Sequence, residues 1–182
     1  MGYPCTKDTP LKIAIRHRQY EAVELLLSNG AKPIIPSVLY VYPDDTHAFE
    51  LLLRYGADVQ TLYGARTLLM HAIWYQNVDV VRLLLEYGSN PSASDKNGRS
   101  TISFAIQVEN MDIINLLCQY GADLSTKHHN MTLASYVTGG RRFHMMIPLL
   151  KWGMPCSWDD IPKCAYKAFT TDELEIIGSY IQ

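Results

Sequence analysis

The sequence predicts an all-α solenoid of about five helix–turn–helix units with short β-hairpin-like fingers, followed by a C-terminal helical cap. Three observations lead to this prediction. A glycine-ended apolar phrase recurs along the chain with a period of about 33 residues. A second phrase precedes it at a fixed distance. The composition of the 182 residues, 48% apolar and 19% charged, is typical of a folded chain with a sizeable core.

The first phrase has an apolar triplet, two variable residues and a glycine, and its fifth copy is degraded. Its glycines are Gly30, Gly56, Gly88, Gly121 and Gly153, evenly spaced except for a shorter first interval. Glycine adopts the left-handed conformation that ends many helices at little steric cost. We therefore expect a helix to end at each phrase, and Gly88 in particular to have a positive φ.

The second phrase precedes three of these glycines, always by the same distance, as Thr9-Pro10-Leu11, Thr67-Leu68-Leu69 and Ser100-Thr101-Ile102. Threonine or serine caps a helix by accepting a hydrogen bond from a backbone amide, and proline suits the first helical turn. The two phrases together predict a first helix, a turn and a second helix in each unit. One such unit cannot bury its apolar face alone, so the units must stack.

Two units depart from this pattern. The second lacks the opening phrase and has room for one turn of first helix near 37–41, with Asp44, Asp45 or Thr46 capping a second helix over 47–55. The shortened helix should leave a notch, which either has a function or reflects a degenerate unit. In the fifth unit, Thr132 opens the first helix and Thr138-Gly139-Gly140 predicts a kink or a longer turn.

The two phrases, found in register, resemble those of the ankyrin repeat family, whose units open with Thr-Pro-Leu-His-x-Ala and close with Leu-Leu-x-x-Gly-Ala. The resemblance covers roughly residues 6–157, with units near 6–32, 33–57 (shortened), 62–90, 95–123 and 128–155. Residues 158–182 are predicted to form the capping unit, with helices over 158–168 and 171–181. Thr170 and Glu173 have the spacing of a capping box for the last helix.

The resemblance implies a protein–protein interaction module that sequesters or scaffolds a partner protein on a concave face made of fingers and first helices. The family positions that vary with the partner correspond here to Arg16, His17, Tyr63, Arg66, Trp74, Tyr75, Lys96, Asn97, Arg99, Gln107, Val108, His128 and His129. The alternative is an adaptor, or a viral or bacterial effector. It would hold a host target on the concave face and recruit other machinery through the C-terminal segment.

The chemistry of this candidate surface favours binding. Tryptophan, tyrosine and arginine dominate the energy of protein interfaces, and two adjacent aromatics facing solvent, Trp74 and Tyr75, have no folding purpose. In the other interpretation, one of them fills the gap beside the shortened second unit. The basic residues Arg66, Lys96 and Arg99 suggest an acidic partner surface, unless ordinary solvated charges only happen to fall there.

Several classes of function are not expected. The net charge of -2 gives no cationic surplus for nucleic acid. The sequence has no apolar run of the ~20 residues that cross a membrane, and Gly2 fits the myristoylation pattern only loosely, so no membrane partner is expected. It has no phosphate-binding loop, nucleophile elbow or helical histidine pair, which predicts a protein that is not an enzyme and holds no cofactor. We expect His71 to bond the finger backbone.

The four cysteines, Cys5, Cys118, Cys156 and Cys164, are not spaced as pairs of metal ligands. Combining the last two with His128, His129 and His144 gives irregular spacings, so we expect no metal site. Reduced thiols predict a cytoplasmic protein, in the host cytosol if the source is a virus or an intracellular bacterium. We expect the chain to be monomeric on its own.

Overall fold

A computed structural model describes residues 9–33, 45–60, 62–129, 131–163 and 165–181. The chain divides into two compact units, Met1–Asn90 and Pro91–Gln182. This division falls between the third and fourth predicted repeats. The predicted repeat ranges, and the boundary before residue 158, stay predictions.

In the part of the first unit that the structure describes, the secondary structure consists of helices and one small hairpin. Its elements are α1 (Pro10–Arg16), α2 (Tyr20–Ser28), α3 (Thr46–Arg54), β1 (Leu62–Tyr63), β2 (Arg66–Thr67), α4 (Leu68–Trp74) and α5 (Val78–Glu86). The two strands are antiparallel, with Leu62 opposite Thr67 and Tyr63 opposite Arg66. This hairpin is the predicted finger of the third repeat.

The second unit is also mainly helical in its described residues. Its α-helices are α6 (Thr101–Val108), α7 (Met111–Gln119), α8 (Leu133–Gly139), α9 (Met146–Lys151) and α10 (Thr171–Tyr180). Its 3-10 helices are Phe143–Met145, Trp158–Asp160 and Ala165–Ala168. The fourth and fifth fingers are closed by single bridges, Ser94 to Ser100 and His128 to Met131.

The predicted caps of the first helices are found in three repeats. The hydroxyls of Thr9, Thr67 and Thr132 each accept a hydrogen bond of 3.2 Å from the backbone amide three residues later. Ser100 has the same extended backbone, but its hydroxyl makes no cap bond and is buried without a partner among the described residues. The cap expected from Ser100 is therefore not formed.

The helix-ending glycines behave as the sequence predicts. All five have φ between 80° and 88°, and the prediction for Gly88 is confirmed at 86°. There the Gly88 amide donates to the Leu85 carbonyl at 3.0 Å, and the Ser89 amide donates to the Leu84 carbonyl at 2.9 Å. These bonds satisfy carbonyls that the end of a helix leaves without partners.

A second left-handed position recurs in the turn between the two helices of a repeat, and here no glycine marks it. Four turns place a larger residue at φ between 52° and 58°: Arg18, Gln76, Glu109 and Arg141. Side chains other than glycine adopt this conformation at some steric cost. The sequence patterns did not predict these positions.

The second repeat is only partly described. The predicted helix near 37–41 and the notch beside it lie outside the described residues. Helix α3 begins at Thr46, one residue earlier than predicted, because Asp45 caps it. The buried Asp45 carboxylate accepts hydrogen bonds from the Ala48 amide at 3.1 Å and the Tyr20 hydroxyl at 2.9 Å.

The fifth repeat departs from a regular repeat after its first helix. Helix α8 runs through Gly139, and the interruption comes at Gly140 and at the left-handed Arg141. A 3-10 turn, Phe143–Met145, then replaces the start of the second helix. A side chain at Gly140 would collide with the Arg142 guanidinium. The predicted longer turn is present, slightly later than the glycine pair suggested.

One helix of the terminal segment was predicted wrongly. In place of a helix over 158–168, the chain forms two 3-10 turns, and the stretch 161–164 between them begins with Ile161 and Pro162. Proline lacks an amide hydrogen and disfavours a helical residue before it, and Ile161 is extended. The capping box of Thr170 and Glu173 at the start of α10 is confirmed.

Each unit has its own core. In the first unit the fully buried side chains include Phe49, Leu52, Met70, Ile73 and Leu84. In the second unit they include Phe104, Ile106, Ile114, Leu117 and Leu149. The core residues come from both helices of each repeat, as expected for stacked units.

Candidate functional site

The end of the first helix in the third repeat presents two large aromatic side chains to solvent. Trp74 is the last residue of α4 and 44% exposed, and Tyr75 follows it and is 38% exposed. The prediction that both face solvent is confirmed. The other interpretation is that one of them fills a gap beside the shortened second repeat, and the residues of that gap lie outside the described ranges.

Arg66 in β2 lies beside these aromatics. Its guanidinium carbon is 5.1 Å from the centroid of the Trp74 ring, within range of a cation–π interaction. Together these groups border an open depression of about 540 Å³ lined by Tyr63, Gly64, Ala65, Arg66, His71, Trp74 and Tyr75. We refer to it as the third-repeat depression.

His71 holds the finger in place beneath this depression. Its Nε2 atom is 3.2 Å from the Tyr63 carbonyl oxygen, and because a carbonyl only accepts, Nε2 must carry the hydrogen. Burial lowers the pKa of His71 below its ordinary value, and the charge of Arg66 lowers this pKa further. The predicted structural role of His71 is confirmed.

The fourth-repeat finger uses its arginine differently. The Nε and Nη2 atoms of Arg99 lie 2.8 and 2.7 Å from Asp95 Oδ2, and its guanidinium carbon is 4.7 Å from the centroid of the Phe104 ring. Asp95 is only 6% exposed, and its other oxygen accepts the backbone amides of Asn97 and Arg99. The predicted contact residue Arg99 therefore also holds its own finger together.

The Asp95 carboxyl is poised to remain ionised. Burial alone would raise its pKa, but hydrogen bonds from the Arg99 amide and guanidinium and from the Asn97 amide outweigh this effect. The pKa of Asp95 therefore lies below its ordinary value, because these donors favour the charged form.

The two predicted histidines of the fifth finger differ in exposure. His128 is buried, its ring centroid lies 3.9 Å from that of Tyr136, and its Nδ1 finds no partner among the described residues. Burial first, and then the charges of His129 and Arg99, lower the pKa of His128. His129 is exposed. Of these two histidines, it is therefore His129 that presents its ring to solvent.

The remaining predicted residues lie at helix ends and finger tips. In the first unit, Arg16 and His17 are exposed at the end of α1, apart from the third-repeat depression. In the second unit Lys96, Asn97 and Gln107 are exposed, and Val108 is half-buried. Within the first unit the structure therefore gathers Tyr63, Arg66, Trp74 and Tyr75 around one depression.

A second depression, which the sequence did not predict, lies in the second unit. It has a volume of about 380 Å³ and is lined by Thr138, Gly139, Arg141, Phe143, Pro162, Ala165, Lys167 and Ala168. We call it the terminal depression. Its residues come from the fifth repeat and the terminal segment, and no repeat phrase marks either group.

Asp160 joins the two parts of the chain that form the terminal depression. Its carboxylate accepts hydrogen bonds from the Thr132 hydroxyl and from the amide and hydroxyl of Ser157. Asp160 is the third residue of the 3-10 turn Trp158–Asp160 and completes the capping box that begins at Ser157. Burial would raise its pKa, but hydrogen bonds from Thr132 and Ser157 keep the pKa lowered.

Within the part of the chain that the structure describes, no group of three or more His, Cys, Asp or Glu side chains is arranged to hold a metal ion. Nor is any helix of these residues long and apolar enough to cross a membrane.

Comparison with known proteins agrees with this architecture. Residues 39–128 match the family model for ankyrin repeats in three copies, and residues 6–37 match the model for a single ankyrin repeat. The chain is 37% identical over 102 residues to the ankyrin repeat protein nuc-2 of Neurospora crassa, covering 50% of this chain and 9% of that protein. It is 36% identical over 72 residues to the putative ankyrin repeat protein R664 of Acanthamoeba polyphaga mimivirus, covering 38% of this chain and 44% of that protein.

The chain belongs to the ankyrin repeat family, with an all-α repeat fold. It spans less than half the length of either relative. Ankyrin repeats in general are protein–protein interaction modules. Together the two family-model matches extend from residue 6 to residue 128, and they do not include residues 129–182.

Proposed function

We propose that this protein binds a partner protein through the third-repeat depression and thereby sequesters or scaffolds it. The observation that carries the proposal is the pair of exposed aromatics, Trp74 and Tyr75, beside the Arg66 guanidinium. Each is a residue type that provides about 2 kcal/mol or more when it becomes a buried anchor at an interface.

The partner surface is proposed to be acidic. Arg66 lines the third-repeat depression and carries a positive charge beside the Trp74 ring. A negative group on the partner therefore meets a complementary charge, which favours the correct pairing and speeds association. We propose no nucleic acid or membrane partner, and a monomeric chain in the cytoplasm.

Other predicted residues extend the proposal to the rest of each unit. Arg16 and His17 are further proposed contacts in the first unit, and Lys96, Asn97, Gln107, Val108 and His129 in the second. Arg99 and His128 are proposed to act mainly by holding their fingers, because Asp95 and Tyr136 engage their side chains.

The experiment is an affinity capture from cell lysate with wild-type protein and with Trp74→Ala/Tyr75→Ala. The matched control is Tyr87→Ala/Tyr120→Ala, which removes aromatics of similar exposure, 42% and 41%, at the ends of the second helices. Circular dichroism confirms that both variants fold. We expect a protein that is captured by wild type and control and lost from Trp74→Ala/Tyr75→Ala. Equal capture by all three proteins would place the contact elsewhere.

A second candidate function is the adaptor, or effector, that holds one protein and recruits another through residues 158–182. One observation favours it. The terminal depression supplies that segment with a binding surface of its own, built from side chains that the third-repeat depression does not share.

A further inference from the structure

The floor of the terminal depression is firmly held. Thr138 and Ala165 are buried there, and the Thr138 hydroxyl is 2.9 Å from the Ala134 carbonyl and 3.2 Å from the Asp160 carbonyl. The first contact lies within α8 and the second reaches the terminal segment. The depression is therefore bounded by packed and hydrogen-bonded residues from α8 and from the terminal segment. Asp160 also joins these two parts of the chain.

Two cations border the depression with unused hydrogen-bonding capacity. Arg141 and Lys167 are both exposed, and neither side chain forms an ion pair or hydrogen bond with a residue of the described ranges. The neighbouring Arg142 differs, because its Nε donates to Glu109 at 2.9 Å. The two consecutive arginines therefore differ: the Arg142 side chain is bonded to Glu109, and the Arg141 side chain is exposed at the depression.

The lining, as far as the structure describes it, contains no carboxylate to balance these cations. The Asp160 carboxylate stands behind the floor and already accepts hydrogen bonds from Thr132, Ser135 and Ser157. Phe143 supplies an apolar wall, which is held by the edge-on contact of its ring with Phe169 at 5.1 Å between centroids. The depression therefore pairs positive charge with an apolar surface.

We infer that the terminal depression binds an acidic peptide segment of a partner protein. An aspartate or glutamate of the segment meets Arg141 and Lys167, and an adjacent apolar side chain packs on Phe143. The volume of about 380 Å³ lies at the lower end of the range for ligand pockets and suits a few side chains. This inference rests on the adaptor candidate and adds the chemistry of the ligand that the terminal segment would bind. It does not depend on the third-repeat depression.

The probe is a matched pair of short peptides, acetyl-Phe-Glu-Asp-amide and its uncharged counterpart acetyl-Phe-Gln-Asn-amide. Each is titrated into the isotopically labelled full chain, and amide chemical shifts are followed by NMR. Inorganic phosphate serves as a third probe, because it carries negative charge without an apolar part. We expect saturable shifts at residues 139–143 and 165–168 with the acidic peptide. The dissociation constants of the other two probes should be larger by about fivefold or more.

The variant is Arg141→Gln/Lys167→Gln, which removes both charges. Glutamine occupies the same left-handed turn position at Gln76, so the turn should tolerate it. Lys163→Gln is the matched control, because Lys163 is exposed but does not line the depression. We expect the shifts to be lost in the double variant and kept in the control.

The third-repeat variant Trp74→Ala/Tyr75→Ala separates this inference from the proposed function, and it should keep the shifts. The inference is overturned if the acidic peptide causes no shifts at these residues, or if it binds no more tightly than its uncharged counterpart or phosphate. It is also overturned if the double variant binds as well as Lys163→Gln, or if the shifts cluster at Trp74 and Tyr75.

Discussion

The fingers of the third and fourth repeats each carry an arginine at the same place, directly before the first-helix phrase. These residues are Arg66, which precedes Thr67, and Arg99, which precedes Ser100. Arg66 is paired across its hairpin with Tyr63, and its guanidinium lies over the exposed Trp74 ring. In the fourth finger the Asp95 amide donates to the Arg99 carbonyl at 2.9 Å, and the Asp95 carboxylate holds Arg99 over the Phe104 ring.

The difference shows how one repeat is adapted for structure and another for a surface. In the fourth repeat the charge of Arg99 is used within the finger, and the position equivalent to Trp74 carries Gln107. In the third repeat, aromatic and cationic groups remain together around an open depression. The comparison shows a mainly structural use of the arginine in the fourth finger, and it supports the binding role that we propose for the third.

The largest effect is expected where the two repeats are alike. Leu84 and Leu117 occupy the same place in the second helices of successive repeats, and both are fully buried. Leu84→Ala and Leu117→Ala should each lower the free energy of unfolding by about 2–5 kcal/mol, through lost burial and a residual cavity. Urea denaturation measures this, and a loss below about 0.5 kcal/mol in either variant would contradict the shared helix packing.

The next effect tests the fourth finger. Asp95→Ala removes a buried carboxylate that serves two backbone amides and the Arg99 side chain, and should destabilise the protein by about 2–3 kcal/mol. The control is Asp123→Ala, because the carboxylate of the exposed Asp123 accepts its hydrogen bonds from Ser125. Its expected cost is about 1 kcal/mol or less. Similar losses in the two variants would show that the fourth finger is not held by the Asp95 carboxylate.

The third prediction concerns pH. The pKa of His71 is lowered in the folded protein, chiefly by burial, so the unfolded chain binds a proton more readily. Stability should therefore fall as the pH drops below the unfolded value of 6.5 toward the lower folded pKa. His71→Phe places there the residue type that Phe104 supplies in the fourth repeat, and it should reduce the stability difference between pH 7 and pH 5. An unchanged difference in urea midpoints would show that His71 does not titrate in this way.

The smallest effect concerns the left-handed turns. Gln76→Gly should relieve a steric cost and stabilise the protein by up to about 1 kcal/mol, after allowing for the greater freedom of glycine in the unfolded chain. Glu109→Gly relieves the same cost but removes the ion pair with Arg142, so its gain should be smaller. A larger gain from Glu109→Gly would contradict this account of the turns.

Much of the fold could be predicted from the sequence because its signals are local and repeated. The residue types of Thr67 and Gly88 were enough to predict their roles, Thr67 as a hydroxyl cap and Gly88 as a left-handed helix end. The turns at Gln76 and Glu109 could not be predicted, since neighbouring hydrogen bonds force their conformation on residues that do not prefer it.

The candidate site was harder to predict for a related reason. Residue type and register indicated Trp74 and Tyr75 as candidate contacts, and both side chains are exposed in the structure. The same register also indicated Arg99 and His128, but their side chains are engaged by Asp95 and by burial against Tyr136. The terminal depression escaped prediction because Arg141 and Lys167 are distant in the sequence and only tertiary packing brings them to one surface.

The most direct test of the central claim compares two equivalent positions, Trp74 in the third repeat and Gln107 in the fourth. Isothermal titration with the captured partner would measure Trp74→Ala and Gln107→Ala against wild type. We predict that Trp74→Ala weakens binding by about 2 kcal/mol, or about 30-fold. Gln107 is a proposed contact without an aromatic anchor, so Gln107→Ala should weaken binding by less than about 0.5 kcal/mol. The claim is contradicted if Trp74→Ala binds like wild type, or if Gln107→Ala costs more.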